Sequence, residues 1–286
     1  MLQLQVLCLL CSVTIQVLIK ATCDSSLQIE RGLLEHPKDE SGKQVTIHLG
    51  SGAFGCCNKM FYRGIPVAVK TFYSSTADEV KKEARIMFKL KHFNFPLLLG
   101  VCTVSKPYLL VSSFYNVSDK PYTMYSVLQS SNFSLALDTW LILIYQLAQA
   151  ISYLHNQGFI HRDIKADNVL VSYLNHEYRA ILIDFGKCTV STASGCLIKH
   201  LTPEEQEKYK RKHGHIAPEI INGSHPPSFA SDVYSYGRIV YAVGAKVSCD
   251  FLCALGKKCI CSEAQLRPKL IQITEQLQSK FQWQCK

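Results

Sequence analysis

A glycine-rich turn that joins two strands, rather than a strand to a helix, is the feature that most constrains this chain. The run LGSGAFG sets Gly50, Gly52 and Gly55 in G-x-G-x-x-G order, and backbone without Cβ atoms can approach phosphate oxygens closely. The alternating run QVTIHLG precedes it, and the strand-like run GIPVAVKTFY follows a turn at Arg63 and Gly64. A dinucleotide-binding turn would feed directly into a helix. This one continues into a hairpin, so a nucleotide would lie beneath it. The second strand ends in VAVK, where Lys70 offers charge to phosphates and needs a carboxylate to hold its ammonium. Val80, Ala84, Met87, Phe88 and Leu90 recur near helical spacing. Glu83 on that helix is the expected partner and Glu79 the alternative, and a purely structural ion pair would use the same residues.

Further along, FPLLLGVCTV and PYLLVSSF read as strands about a turn at Ser105 to Pro107. A long buried helix is predicted from Asp138, as N-cap, to a stop at Gly158. The polar run HRDIKADN comes next, against apolar VLV. Asp163 could accept a hydroxyl proton, Lys165 could neutralise a transferring phosphoryl group, and Asn168 could offer an oxygen to Mg²⁺. The run IDFG then ends an apolar strand with Asp184, a hard carboxylate for the same cation. Leu201 to Lys212 reads as a charged loop, and Ser231 to Ala245 and Pro268 to Gln282 as helices.

Taken in this order, these motifs resemble the eukaryotic protein kinases, with matches from about Val45 to Phe281. The resemblance implies an α+β, two-lobed fold: a small β-rich N-lobe over 45–111, a hinge over 112–116 and a larger helical C-lobe over 117–283. It implies ATP and Mg as cofactors and a protein as substrate. Leu49, Gly50, Ser51, Gly52, Ala53, Phe54 and Gly55 would form the phosphate-covering loop, Lys70 would contact the phosphates and Glu83 would clamp Lys70. Cys57 and Ala68 would roof the adenine and Leu170 floor it, with Ser112 as gatekeeper before hinge residues Ser113, Phe114 and Tyr115. Asp163 would be the catalytic base, Lys165 would contact the γ-phosphate, and Asn168 and Asp184 would hold Mg²⁺. Asp232 would anchor the catalytic loop, and Glu219 of the APE run would pair with Arg267.

Lys165 fits the Ser/Thr and tyrosine-kinase-like groups, while Lys212 stands where Ser/Thr kinases carry a Thr. That departure keeps a tyrosine or dual-specificity kinase as an alternative, and a pseudokinase-like docking module as another. Arg162 beside Asp163 suggests control by phosphorylation at Ser191, Thr192, Ser194, Thr202 or Tyr209. The stretch between Gly237 and Arg267 is short for a kinase, so the docking helix usually found there is expected to be lost or minimal. The longer gap from Asp163 to Asp184 is read as an extended turn at Tyr173 to Arg179.

Composition narrows the rest. With 286 residues, 48% apolar and 19% charged, the chain can bury a sizeable core. Its net charge of +9 favours an anionic partner, but no basic stripe interleaved with aromatics appears, which argues against nucleic acid. Thirteen scattered cysteines suit buried thiols better than a metal site. Residues 1–44 read as an apolar segment and a linker with at most a short helix. The apolar part, within 1–20, is the one stretch that could reach a membrane, as a signal or anchor, and is otherwise a packed helix or a gene-boundary artefact. The kinase domain itself is expected in the cytoplasm.

Overall fold

The computed structural model describes residues 27–52, 55–118, 120–191 and 201–280. It divides into two compact units, one of Met1–Ala84 with Leu98–Ser113 and one of Arg85–Leu97 with Phe114–Lys286. The apolar segment of residues 1–20 lies outside the described residues. Among those described, no helix is long and apolar enough to cross a membrane.

The first unit is an antiparallel sheet of β1 (Leu34–Glu35), β2 (Ile47–Gly52), β3 (Gly55–Tyr62), β4 (Ile65–Phe72), β5 (Leu98–Cys102) and β6 (Tyr108–Ser113). The strands run β1-β3-β4-β6-β5, with β2 also on β3. Register separates two faces, because directly opposed residues share a face and successive residues alternate. Val67, Val69 and Val111 point one way and are buried with Cys102 and Leu109. Cys57 opposes Lys70, and Ala68 opposes Ser112, on the other face.

Residues 27–44, expected to be linker, instead bring their first part onto the sheet. Ile29 N–H donates to Val101 O at 2.9 Å and Val101 N–H to Leu27 O at 2.8 Å. Arg31 donates to the carbonyls of Ser105 and Pro107. After the 3₁₀ turn Arg31–Leu33, β1 pairs with β3, and Ile29 and Leu34 pack on the apolar face. The strap thus satisfies the open edge of β5 and covers apolar surface. It approaches so closely that a Cβ on Gly100 would sit 2.5 Å from Ile29 Cγ2.

Helix α1 (Ala77–Lys89) follows β4 in sequence. The second unit adds β7 (Tyr122–Thr123), α2 (Met124–Gln129), α3 (Leu137–Asn156), β8 (Phe159–Ile160), β9 (Val169–Leu174), β10 (Glu177–Leu182) and β11 (Thr189–Val190). Then come α4 (Pro203–Lys212), α5 (Pro218–Ile221), α6 (Phe229–Lys246), α7 (Asp250–Cys259) and α8 (Leu270–Gln278). The predicted α+β class, strand-rich first and helical afterwards, is what the molecule shows. The core of this unit is α3, whose Trp140, Leu143, Ile144, Leu147, Ile151 and Leu154 are buried.

Three local expectations are corrected. Asp138 lies inside the first turn of α3, where its charge suits the helix dipole, and Ala136 is the N-cap without a side-chain bond. Leu201 to Lys212 is not a loop: Thr202 and Glu205 form a capping box, Pro203 starts α4, and no residue of that helix is buried. With no apolar stripe, periodicity could not report it. The extended turn at Tyr173 to Arg179 is a tight one, since β9 runs to Leu174 and β10 resumes at Glu177 around Asn175 and His176, both with positive φ. The short segment between α6 and Arg267 is taken up by one ten-residue helix, α7. Small residues let it seat against α6: a Cβ on Gly244 would lie 2.7 Å from Cys253 N, and one on Gly256 would lie 2.7 Å from Tyr241 N.

Candidate active site

In the first unit, the non-apolar face of the sheet gathers most of the residues expected around a nucleotide. Gly50 opposes Cys57, Cys57 opposes Lys70, and Ala68 opposes Ser112. Leu49 falls at the register shift between His48 and Gly50. The glycines differ in kind. A Cβ on Gly55 would lie 1.7 Å from Thr71 O, so the hairpin itself requires this glycine, whereas Gly50 and Gly52 face open space. Ser51 is exposed beside them; Ala53 and Phe54 lie outside the described residues.

Lys70 Nζ donates to both oxygens of Glu83, at 2.9 and 3.0 Å. The Glu83 side chain is nearly buried and that of Lys70 22% exposed. Glu79, the alternative, is used elsewhere, accepting from Thr76 N–H at the start of α1. Burial pushes the Cys57 thiol up to about 12, which leaves it a protonated, apolar wall rather than a nucleophile.

In the second unit the polar loop after β8 is held from below by Asp232 on α6. Its Oδ2 accepts His161 N–H at 2.8 Å and its Oδ1 accepts Arg162 N–H at 2.9 Å. His155 of α3 bonds the same carboxylate at 2.9 Å. The loop can therefore hold Arg162 at φ 70°, a left-handed conformation that costs free energy unless its surroundings enforce it. Burial lowers the pKa of the His161 imidazole, which packs 5.3 Å from the Phe185 ring.

Asp163 is the hub. Its Oδ1 accepts from Lys187 Nζ at 2.9 Å and lies 3.4 Å from His215 Nε2. Its Oδ2 accepts from Asn168 Nδ2 at 3.2 Å and lies 3.7 Å from Lys165 Nζ. Burial alone would raise this carboxyl, but the hydrogen bonds from His215 and Lys187 and the charges of Lys187 and Lys165 outweigh burial. The net effect holds Asp163 far below the usual carboxylate range, hence ionised.

Asn168 spends its amide N–H groups on Asp163, on backbone O at 2.9 Å as well as Oδ2. Its oxygen Oδ1 is then the end available to a cation. Ile183 N–H donates to Asn168 O at 2.9 Å, which brings Asp184, the next residue, alongside. Asp184 has φ 66°, and Phe185 behind it is buried edge-on against Phe95 at 5.2 Å. An amide oxygen and a carboxylate are the hard donors that Mg²⁺ takes together with water and phosphate oxygens, so the pair fits that ion. Leu170, on β9, opposes Thr123 of β7. Phe114 is half-buried, and the division between units falls just before it.

Lys187 and His215 were not singled out in the sequence. Both stand beside readable motifs, one directly after IDFG and the other two residues before APE. Glu219 and Arg267 form a buried bidentate pair at 2.6 and 2.7 Å. Of the proposed phosphorylation positions, Thr192 and Ser194 lie outside the described residues, Thr202 is occupied as the α4 cap, and Tyr209 is 38% exposed.

The family model described as protein tyrosine and serine/threonine kinase matches residues 44–251. Spermatocyte protein spe-8 of Caenorhabditis briggsae is 33% identical over 231 residues, 74% of this chain and 40% of that protein. Serine/threonine-protein kinase CTR1 of Arabidopsis thaliana is 28% identical over 255 residues, 82% of this chain and 29% of that protein. Probable serine/threonine-protein kinase gdt4 of Dictyostelium discoideum is 28% identical over 197 residues, 68% of this chain and 11% of that protein. The chain thus spans two-fifths or less of the length of these relatives. A match over more than half the chain, carrying every motif around Lys70, Asp163 and Asp184, places it in the protein kinase family.

Proposed function

We propose that this chain transfers the γ-phosphoryl group of ATP to a Ser or Thr hydroxyl of a protein. The carrying observation is Asp163, kept ionised by His215, Lys187 and Lys165 and bonded by Asn168, beside a lysine two residues on. A carboxylate so held can orient an incoming hydroxyl and accept its proton as the oxygen attacks. Lys165 and Lys187 neutralise charge that develops on the phosphoryl oxygens. Lys70, fixed by Glu83, binds phosphate oxygens, and Gly50 and Gly52 leave backbone amides open to them. Asn168 and Asp184 would hold Mg²⁺, which supplies polarisation of the phosphates when bound. Lys165 and the similarity to CTR1 and gdt4, a serine/threonine-protein kinase and a probable one, favour Ser/Thr over Tyr.

The test is transfer of radiolabel from ATP to a generic protein substrate. Wild type should label it, and Asp163→Asn and Lys70→Met should not; phosphoamino-acid analysis should return phosphoserine or phosphothreonine. A second reading, a docking module that binds nucleotide without turnover, draws on one observation. Lys187 already occupies Asp163 Oδ1, where a hydroxyl proton would arrive. Nucleotide binding with no transfer in wild type would select it.

A further inference from the structure

The surplus of positive charge has a location that transfer chemistry alone does not require. On α4, Lys208, Arg211 and Lys212 are exposed and spaced i, i+3, i+4, which puts them on one face. Of the three acids of that helix, Glu205 closes the capping box, Glu207 pairs with Lys210 at 2.7 Å, and Glu204 stands exposed in the first turn, one turn before Lys208. None of the three cations has a carboxylate within salt-bridge distance among the described residues. Cations in the last turn suit the helix dipole, but that accounts for neither Lys208 nor the company they keep.

The face leads to Asp163 through a short relay of rings. Tyr209 packs its ring, tilted, against His213 at 4.4 Å, His213 stands 6.0 Å from His215, and His215 reaches the Asp163 carboxylate. The charges of Lys212, Lys187 and Lys165 all reach His213. Tyr209 and Lys187 also share a pocket of about 350 Å³ with Arg162, Ile216 and Pro227. We propose that Lys208, Arg211 and Lys212, with Lys187, dock an Asp- and Glu-rich segment of the protein substrate beside its acceptor hydroxyl. The proposal rests on the kinase reading above and names its substrate class. Charge complementarity of this kind sets encounter and selection more than tight binding.

Two peptides of equal length, each with one Ser flanked by Asp and Glu or by Asn and Gln, test it on the full chain. The acidic peptide should show kcat/KM about tenfold higher at low salt, the scale of three exposed ion pairs. The ratio should fall to about twofold or less in Lys208→Gln/Arg211→Gln/Lys212→Gln and at about 0.5 M salt. The thermal midpoint of the triple variant, compared with wild type, checks that α4 is intact. Equal rates in wild type, or a preference that survives the triple variant, would overturn the proposal while leaving phosphoryl transfer standing. Anisotropy of fluorescein-labelled peptides without ATP gives a reading independent of turnover. If neither peptide is phosphorylated but the acidic one binds through these cations, docking stands and the transfer reading falls. Phosphatidylserine vesicles captured through α4, with no preference between peptides, would overturn docking in favour of a membrane surface.

Discussion

The two units treat a carboxylate in opposite ways. In the first, both oxygens of Glu83 accept from one ammonium, that of Lys70, a one-to-one ion pair. In the second, Asp163 is shared among Lys187, Lys165, His215 and Asn168, so cations outnumber it. A balanced pair fixes geometry. A carboxylate outnumbered by cations leaves net positive charge over for further anions, and its partners can be exchanged without leaving it buried and alone. The Glu219–Arg267 pair belongs to the balanced kind although it lies in the second unit, so the difference does not follow location.

The sharpest way to break this contrast is at the hub. Asp163→Asn should lower kcat about 10³-fold, the scale of losing a positioned general base, measured by radiolabel transfer with circular dichroism checking the fold. Close behind, Arg267→Ala should destabilise the chain by about 3–5 kcal/mol in urea unfolding, because it strands buried Glu219 without its counter-charge. An effect under about 1 kcal/mol would remove this pair from the balanced class. Glu83→Gln should act more weakly and on nucleotide, raising KM for ATP about tenfold while the unfolding midpoint moves little.

The smallest effect is on protonation. Lys187→Met should move the Asp163 titration upward, toward the ordinary carboxylate range, as read from its ¹³C carboxyl resonance. The sign follows from linkage. The depressed native pKa of Asp163 contributes stability that is present above the unfolded carboxylate value and lost as pH falls through the native one. Without Lys187 that loss should set in at higher pH. No shift would mean that His215 and Lys165 hold the charge by themselves.

How much could be read in advance varied with physical cause. Strands β2 and β4 and helix α1 were legible because alternation and helical spacing are local consequences of one buried face, whereas β3, half-buried along its whole length, offers no alternation. The strap over residues 27–35 was not, since a 3₁₀ turn between two short pairings has no period to detect. Helix α4 could have been found from Thr202, Pro203 and Glu205, a capping signature, though not from hydrophobicity. Lys70, Asp163, Asn168 and Asp184 stood in motifs whose order carried them. Lys187 and His215 reach Asp163 from 24 and 52 residues away, and no local pattern encodes such an approach.

The amino-acid order by itself determined the chemical inventory on which the proposed transfer draws, an ammonium, hard oxygens and a carboxylate, and most of the strands and helices that carry them. Tertiary structure decided which carboxylate is balanced and which is outnumbered, that Gly55 serves the hairpin while Gly50 and Gly52 stay open, and where the surplus charge gathers. Propensity and periodicity act over a few neighbours along the chain. Pairing and protonation depend on burial and on through-space distance, which exist only once remote segments have packed.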